Sequence, residues 1–220
     1  CAVLDSCPLI VILENVPRFP LALVKSLFGH RYSIDSVILD GVDFGMPVHR
    51  RRLYCVLTLN GAAYLGRPLA ELRDVAQARR SDKVAGRTLF CLPGVDDGMS
   101  QAVMKRADDY LEVFGDRGSI YDLDQLPRGR PRKAAGDGAL FTLTAHTRLA
   151  WCADEGRPLR RNELAAGQGL PSHPALACAL ATQEFNFESF SRSRAARMIG
   201  NGMSVPCIGA VLFWFSRWAY

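Results

Sequence analysis

Apolar and polar positions fall into blocks separated by Gly and Pro. The first block, Leu9-Ile10-Val11-Ile12-Leu13, is a continuous and largely β-branched run closed by Glu14-Asn15. That pattern predicts a strand buried on both faces of a parallel sheet. In open α/β sheets the carboxyl ends of strands face the ligand crevice, which puts Glu14 and Asn15 where chemistry is usually done. Pro17 cannot extend the strand. From Phe19 to Gly29, apolar residues at Phe19, Leu23, Leu27 and Phe28 with a closing glycine predict an amphipathic helix. Tyr32 to Leu39 alternates as a strand does, Gly41 to Pro47 reads as loop, and Leu53 to Leu59 reads as another strand.

From Asn60 to about Phe141 the texture changes. Helical patches at Leu69 to Ala78 and Ala102 to Phe114 alternate with connectors rich in Gly, Pro and charge, among them Arg128-Gly129-Arg130-Pro131-Arg132-Lys133. This stretch reads as an inserted smaller module. Its basic cluster suits a solvated loop first and phosphate contact second. Phe141 to Thr144 predicts a short strand and Leu159 to Gly167 a helix. Met203 to Tyr220, apolar nearly all round, predicts a terminal helix packed in a core. The fold class expected is α/β, with boundaries at 1–59, 60–175 for the smaller domain, and 176–220.

Composition narrows this modestly. A chain of 220 residues that is 49% hydrophobic can bury one sizeable core or one and a half. A net charge of +5 is compatible with a polyanionic partner without requiring one. The 7 cysteines form no CxxC pair and no metal-ligand pattern, so no metal site is expected and a reducing compartment is favoured. The apolar stretches Leu9 to Leu13 and Val211 to Phe215 are too short to span a bilayer, and no signal peptide is visible. The expectation is an intracellular protein with no membrane partner. A start on Cys1 that enters a strand within a few residues predicts a truncated beginning.

Three segments carry candidate chemistry. Leu13-Glu14-Asn15-Val16-Pro17 ends a strand on a carboxylate, which alone suits capping or an ion pair as well as catalysis. Gly45-Met46-Pro47-Val48-His49-Arg50-Arg51-Arg52 hands three arginines to a strand. Alternation puts Arg50 and Arg52 on one face, able to grip a phosphate or carbonyl oxygen, unless this is only a solvated basic edge. Met198-Ile199-Gly200-Asn201-Gly202-Met203-Ser204-Val205-Pro206 places a Gly-flanked Asn before a helix. Such a segment suits close approach to a ligand, or a plain helix cap by Asn201 or Ser204.

Together the segments resemble the later motifs of the cytosine-5 DNA methyltransferase family. Leu13-Glu14-Asn15-Val16 is similar to its Glu-Asn-Val motif, Gly45 to Arg52 to its Gly-x-Pro-Gln-x-Arg-x-Arg motif, and Ile199-Gly200-Asn201 to its closing Ile-Gly-Asn motif. A fourth match combines Arg157-Pro158-Leu159, Glu163 and Gln168-Gly169-Leu170-Pro171. The resemblance implies the C-terminal part of a doubly wound sheet that binds S-adenosyl-L-methionine, with an inserted small target-recognition domain. The partner it implies is double-stranded DNA, and the location the nucleus if the source is eukaryotic. It implies that a flipped-out cytosine is methylated at carbon 5. Glu14 would hold the ring at nitrogen 3 and the exocyclic amine. Arg52 would contact the base carbonyl oxygen or its phosphate, with Arg50 bracing the loop. Asn15, Asn201 and Ser204 would lie at the cofactor.

The chain also departs from the family. Val48 stands where the motif has Gln, Arg160 where it has Thr, and Leu170 where it has Phe. The Gly-rich cofactor loop and the Pro-Cys-Gln nucleophile loop precede Glu-Asn-Val in the family, and nothing before Glu14 matches either. The nucleophile is therefore assigned to no residue of this chain, and the missing N-terminal half is expected in cis or in trans. Two other readings stay open: a catalytically inactive DNA-binding or scaffold relative, and a tRNA cytosine-5 methyltransferase.

Overall fold

The fold is given by a computed structural model that describes residues 5–78, 99–115, 120–129, 133 and 139–220. Arg130, Pro131 and Arg132 of the basic cluster lie outside the described residues, as does Cys1. The chain divides into two units. One comprises Cys1–Gly45, Arg50–Asp82 and Val205–Tyr220; the other comprises Met46–His49 and Lys83–Ser204.

The first unit is built on β1 (Ile10–Asn15), β2 (Tyr32–Leu39) and β3 (Arg52–Leu59), in the order β1-β3-β2. Both pairings are antiparallel, with Leu13 opposite Cys55 and Val37 opposite Tyr54. This corrects the expectation that the first apolar run forms parallel pairs and is buried on both faces. The strand buried on both faces is β3, and β1 is only half-buried. A continuous apolar run does not reveal its neighbour. Here β1 and β2 point the same way, but β3 enters between them against both.

Alternation on β3 sorts the core into two layers. Leu53, Cys55 and Leu57 pack with Val24 of helix α1 (Leu21–Phe28) on one face. Tyr54 and Val56 pack on the other face with Leu72 of α2 (Glu71–Ala78) and with Cys207, Val211 and Trp214 of α7 (Val205–Trp218). Full burial of each large apolar side chain contributes about 1.5–3 kcal/mol before entropy is counted.

In the second unit, α3 (Gln101–Phe114) precedes the small antiparallel sheet of β4 (Ile120–Asp122), β5 (Ala150–Cys152) and β6 (Arg157–Pro158). Helices α4 (Arg161–Gly167), α5 (Pro174–Ala179) and α6 (Arg192–Asn201) follow. Tyr110, Tyr121 and Trp151 share one core cluster, and Leu140, Leu159, Leu164 and Ile199 share another. The strand expected at Phe141 to Thr144 does not form. Leu140 makes a single bridge to Val48, after which Thr144 and Thr147 close a turn through hydrogen bonds of 3.0 and 3.1 Å. Hydroxyls that bond locally compete with a strand ladder in this way.

Candidate functional site

Glu14 lies near the end of β1, directly opposite Tyr54 on β3. Arg52 is two residues from Tyr54 along β3, so it reaches Glu14 diagonally on the same face. Its Nε is 3.0 Å from Glu14 Oε1, and both side chains are 15% exposed. Arg52 Nη1 also donates to the carbonyl of Arg51 at 2.8 Å. Glu14 Oε1 is buried and has no aligned hydrogen-bond donor among the described residues. The pair is thus held by charge at close range while the carboxylate keeps hydrogen-bonding capacity.

The loop feeding Arg52 is set by Asp40. After β2, residues Gly41–Phe44 form a 3-10 turn that ends at Gly45 in the left-handed region, φ 80, where a side chain would be strained. Asp43 accepts the backbone N–H of Asp40 at 3.1 Å, and Asp40 Oδ1 accepts the N–H of Arg50 at 2.6 Å. Arg50 therefore precedes the first residue of β3 and is only 3% exposed, whereas Arg51 is exposed. Burial, and then the charge of Arg52, pull the Arg50 guanidinium below its usual range. Glu14, Tyr54 and Cys207 act in the opposite sense. Tyr54 is fully buried, and burial, then Cys207 and Glu14, push its phenol far above its ordinary value. Tyr54 stands opposite Glu14 in the strand register, and Arg50 lies close enough to Glu14, Arg52, Tyr54 and Cys207 to feel the charge of each.

The three residues expected at a cofactor differ in setting. Asn15 is half-buried and its Oδ1 accepts the N–H of Val16 at 2.8 Å, forming a local turn at the strand end. Asn201 is exposed at the end of α6, a helix that the sequence reading did not anticipate. Ser204 is 2% exposed, and its Oγ has no hydrogen-bond partner among the described residues. Gly200, just ahead of Asn201, has a clear reason to be glycine. A Cβ there would stand 2.1 Å from the carbonyl carbon of Thr144 and 2.2 Å from the nitrogen of Ala145. The end of α6 is therefore pressed against the turn that carries His146.

The fourth sequence match forms a buried scaffold. Glu163 is 0% exposed and takes Arg157 in two-pronged fashion at 2.8 and 2.9 Å, and it also accepts the N–H of Arg160 at 2.7 Å. Gln168 Nε2 donates to the carbonyl of Ile199 at 2.8 Å, which ties the segment after α4 to α6. The sequence reading did not single out Asp40 or Tyr54. The Asp40-Gly41-Val42-Asp43 spacing, with an acid three residues after an acid, was the available signal for the first. Tyr54 carried no local signal, because only the β1–β3 register puts it opposite Glu14. Among the described residues no group of three or more His, Cys, Asp or Glu could hold a metal ion.

No family model and no curated protein matches the chain. Solved structures do. A Dnmt2 methyltransferase of S. pombe superposes with a TM-score of 0.55 at 16% identity, covering 96% of this chain and 68% of its own. The methyltransferase EhMeth of Entamoeba histolytica gives 0.54 at 14% identity, covering 96% and 63%. A prophage-encoded E. coli protein assigned as a DNA modification methyltransferase gives 0.62 at 15% identity, covering 98% and 71%. The chain thus has the mixed α/β fold found in these methyltransferases, over roughly two thirds of their length.

Proposed function

We propose that the complete protein is a DNA (cytosine-5)-methyltransferase and that this chain supplies its base-holding wall. The observation that carries the reading is Glu14. It is a largely covered carboxylate with unused hydrogen-bonding capacity, fixed beside Arg52 at the end of a strand, in a fold shared with methyltransferases. A cytosine ring offers nitrogen 3 and an exocyclic amine along one edge, with a carbonyl oxygen next to nitrogen 3. A carboxyl group can share a proton with the nitrogen and accept from the amine, while a neighbouring guanidinium donates to the oxygen. Glu14 and Arg52 provide that complement, and buried Arg50 holds the loop that delivers Arg52.

S-adenosyl-L-methionine supplies the methyl group when bound. Ser204 suits a polar ligand of that kind, since its buried hydroxyl is left without a protein partner among the described residues. Asn15 and Asn201 are the further positions proposed to meet it. The nucleophile and the Gly-rich cofactor loop belong to sequence outside this chain. Residues 60–175 are proposed as the target-recognition module, double-stranded DNA as the substrate and an intracellular site as the location. In the complete protein Glu14→Gln lowers turnover about 100-fold or more while DNA affinity changes little. Equal losses in both would contradict the role.

Val48 favours a second reading, a DNA-binding relative without activity. It replaces a polar residue of the motif, is 1% exposed and bridges to Leu140, so it packs and presents no polar group. Methyl transfer by the complete protein separates the two readings, and transfer to tRNA in place of DNA would select the remaining alternative.

A further inference from the structure

The first unit contains a groove between α2 and α7 that none of Glu14, Arg50, Arg52, Asn15, Asn201 or Ser204 lines. Its volume is about 580 Å³, within the range of small-molecule sites. Leu72, Val75 and Trp214 line it together with the aromatic rings of Phe44, Phe213 and Trp218. Phe213 is 68% exposed, which leaves an aromatic face uncovered on the α7 side.

Charge at the rim is unbalanced. The ring of Trp218 has two guanidiniums over it, Arg67 at 5.1 Å and Arg217 at 5.6 Å, and Arg67 also lies 5.6 Å from the ring of Trp214. Arg67 forms an ion pair with Glu71. Arg217 has no carboxylate partner among the described residues, and its guanidinium lies over the Trp218 ring. The acid in the lining, Asp43, is engaged with the backbone N–H of Asp40. One positive charge therefore remains next to an aromatic cleft.

We infer that this groove is a ligand site for a small molecule with a flat apolar body and one anionic head, the body against Phe213 and Trp218 and the head at Arg217. Aromatic walls favour a planar body through offset stacking. A guanidinium that faces no carboxylate is the natural donor to a carboxylate or phosphate.

The test uses two probes with the same body and opposite charge, indole-3-acetate and tryptamine, titrated into the complete protein. The indole N–H NMR signals of Trp151, Trp214 and Trp218 are followed. Indole-3-acetate shifts Trp214 and Trp218 saturably and leaves Trp151 in place, while tryptamine binds at least about ten-fold more weakly. Arg217→Gln lowers indole-3-acetate affinity about ten-fold, as expected for loss of a hydrogen bond to a charged group. Phe213→Ala, at an exposed position, weakens the body contact without unfolding the protein. Equal binding of the two probes, unchanged affinity in Arg217→Gln, or no shift of Trp214 and Trp218 at millimolar indole-3-acetate would overturn the inference. Methyl transfer plays no part in the readout, so this proposal and the methyltransferase reading fail separately.

Discussion

Glu14 and Arg52 meet across the β1–β3 pair at 3.0 Å although they are not register partners, because Tyr54 occupies the position opposite Glu14. The contact depends on antiparallel pairing, which sets Arg52 two residues along the same face. Both side chains are largely covered, so the pair is screened less than a surface ion pair and couples more strongly.

A double-mutant cycle with Glu14→Gln and Arg52→Gln measures that coupling. The expected interaction energy is about 0.5–3 kcal/mol by denaturant unfolding, the range for groups in direct contact. A value near zero would mean that the two side chains are held independently.

Three glycines should respond differently to alanine. Gly200→Ala drives a methyl into the Thr144–Ala145 peptide at 2.1–2.2 Å and should destabilise by about 2 kcal/mol or more, since backbone must move. Gly202→Ala meets the carbonyl oxygen of Met198 at 3.1 Å and should cost less. Gly209 lies within α7 with nothing within 4 Å, so Gly209→Ala should stabilise by about 0.5–1 kcal/mol. Thermal unfolding of the three variants checks the order, and Gly200→Ala as stable as the parent would refute the close approach.

High pH should weaken the fold through Tyr54. Its native phenol is held far above the ordinary value by burial, Cys207 and Glu14, while an unfolded tyrosine titrates near about 10. The unfolded chain therefore loses the proton first. The stabilising contribution is complete below about pH 10 and declines as pH rises past it, by about 1.36 kcal/mol per pH unit. Tyr54→Phe should make the alkaline stability profile shallower by that slope, and an unchanged slope would show that Tyr54 titrates normally.

Local pattern disclosed much of the first unit. The alternation of Tyr32 to Leu39 matches β2 end to end, and the apolar run from Leu53 to Leu59 lies within β3. Sheet direction was hidden, because Leu9 to Leu13 looks the same whichever strand lies beside it. Helix α6 was hidden too. Its buried face is made of small residues, Ala195, Ala196 and Gly200 with Ile199, which leave no strong apolar stripe in the sequence. At the site, Glu14, Arg50 and Arg52 stood out by residue type and spacing. Asp40, which fixes Arg50, and Tyr54, which stands opposite Glu14, act through turn geometry and strand register that residue order does not display.

The central claim is that the complete protein methylates cytosine in DNA using the Glu14 wall. The most direct measurement is transfer of a labelled methyl group from S-adenosyl-L-methionine to duplex DNA by the complete protein, with the product nucleosides separated. The account predicts label in 5-methylcytosine, reduced about 100-fold or more by Glu14→Gln. Absence of label from DNA, or full incorporation by the Glu14→Gln variant, would contradict it.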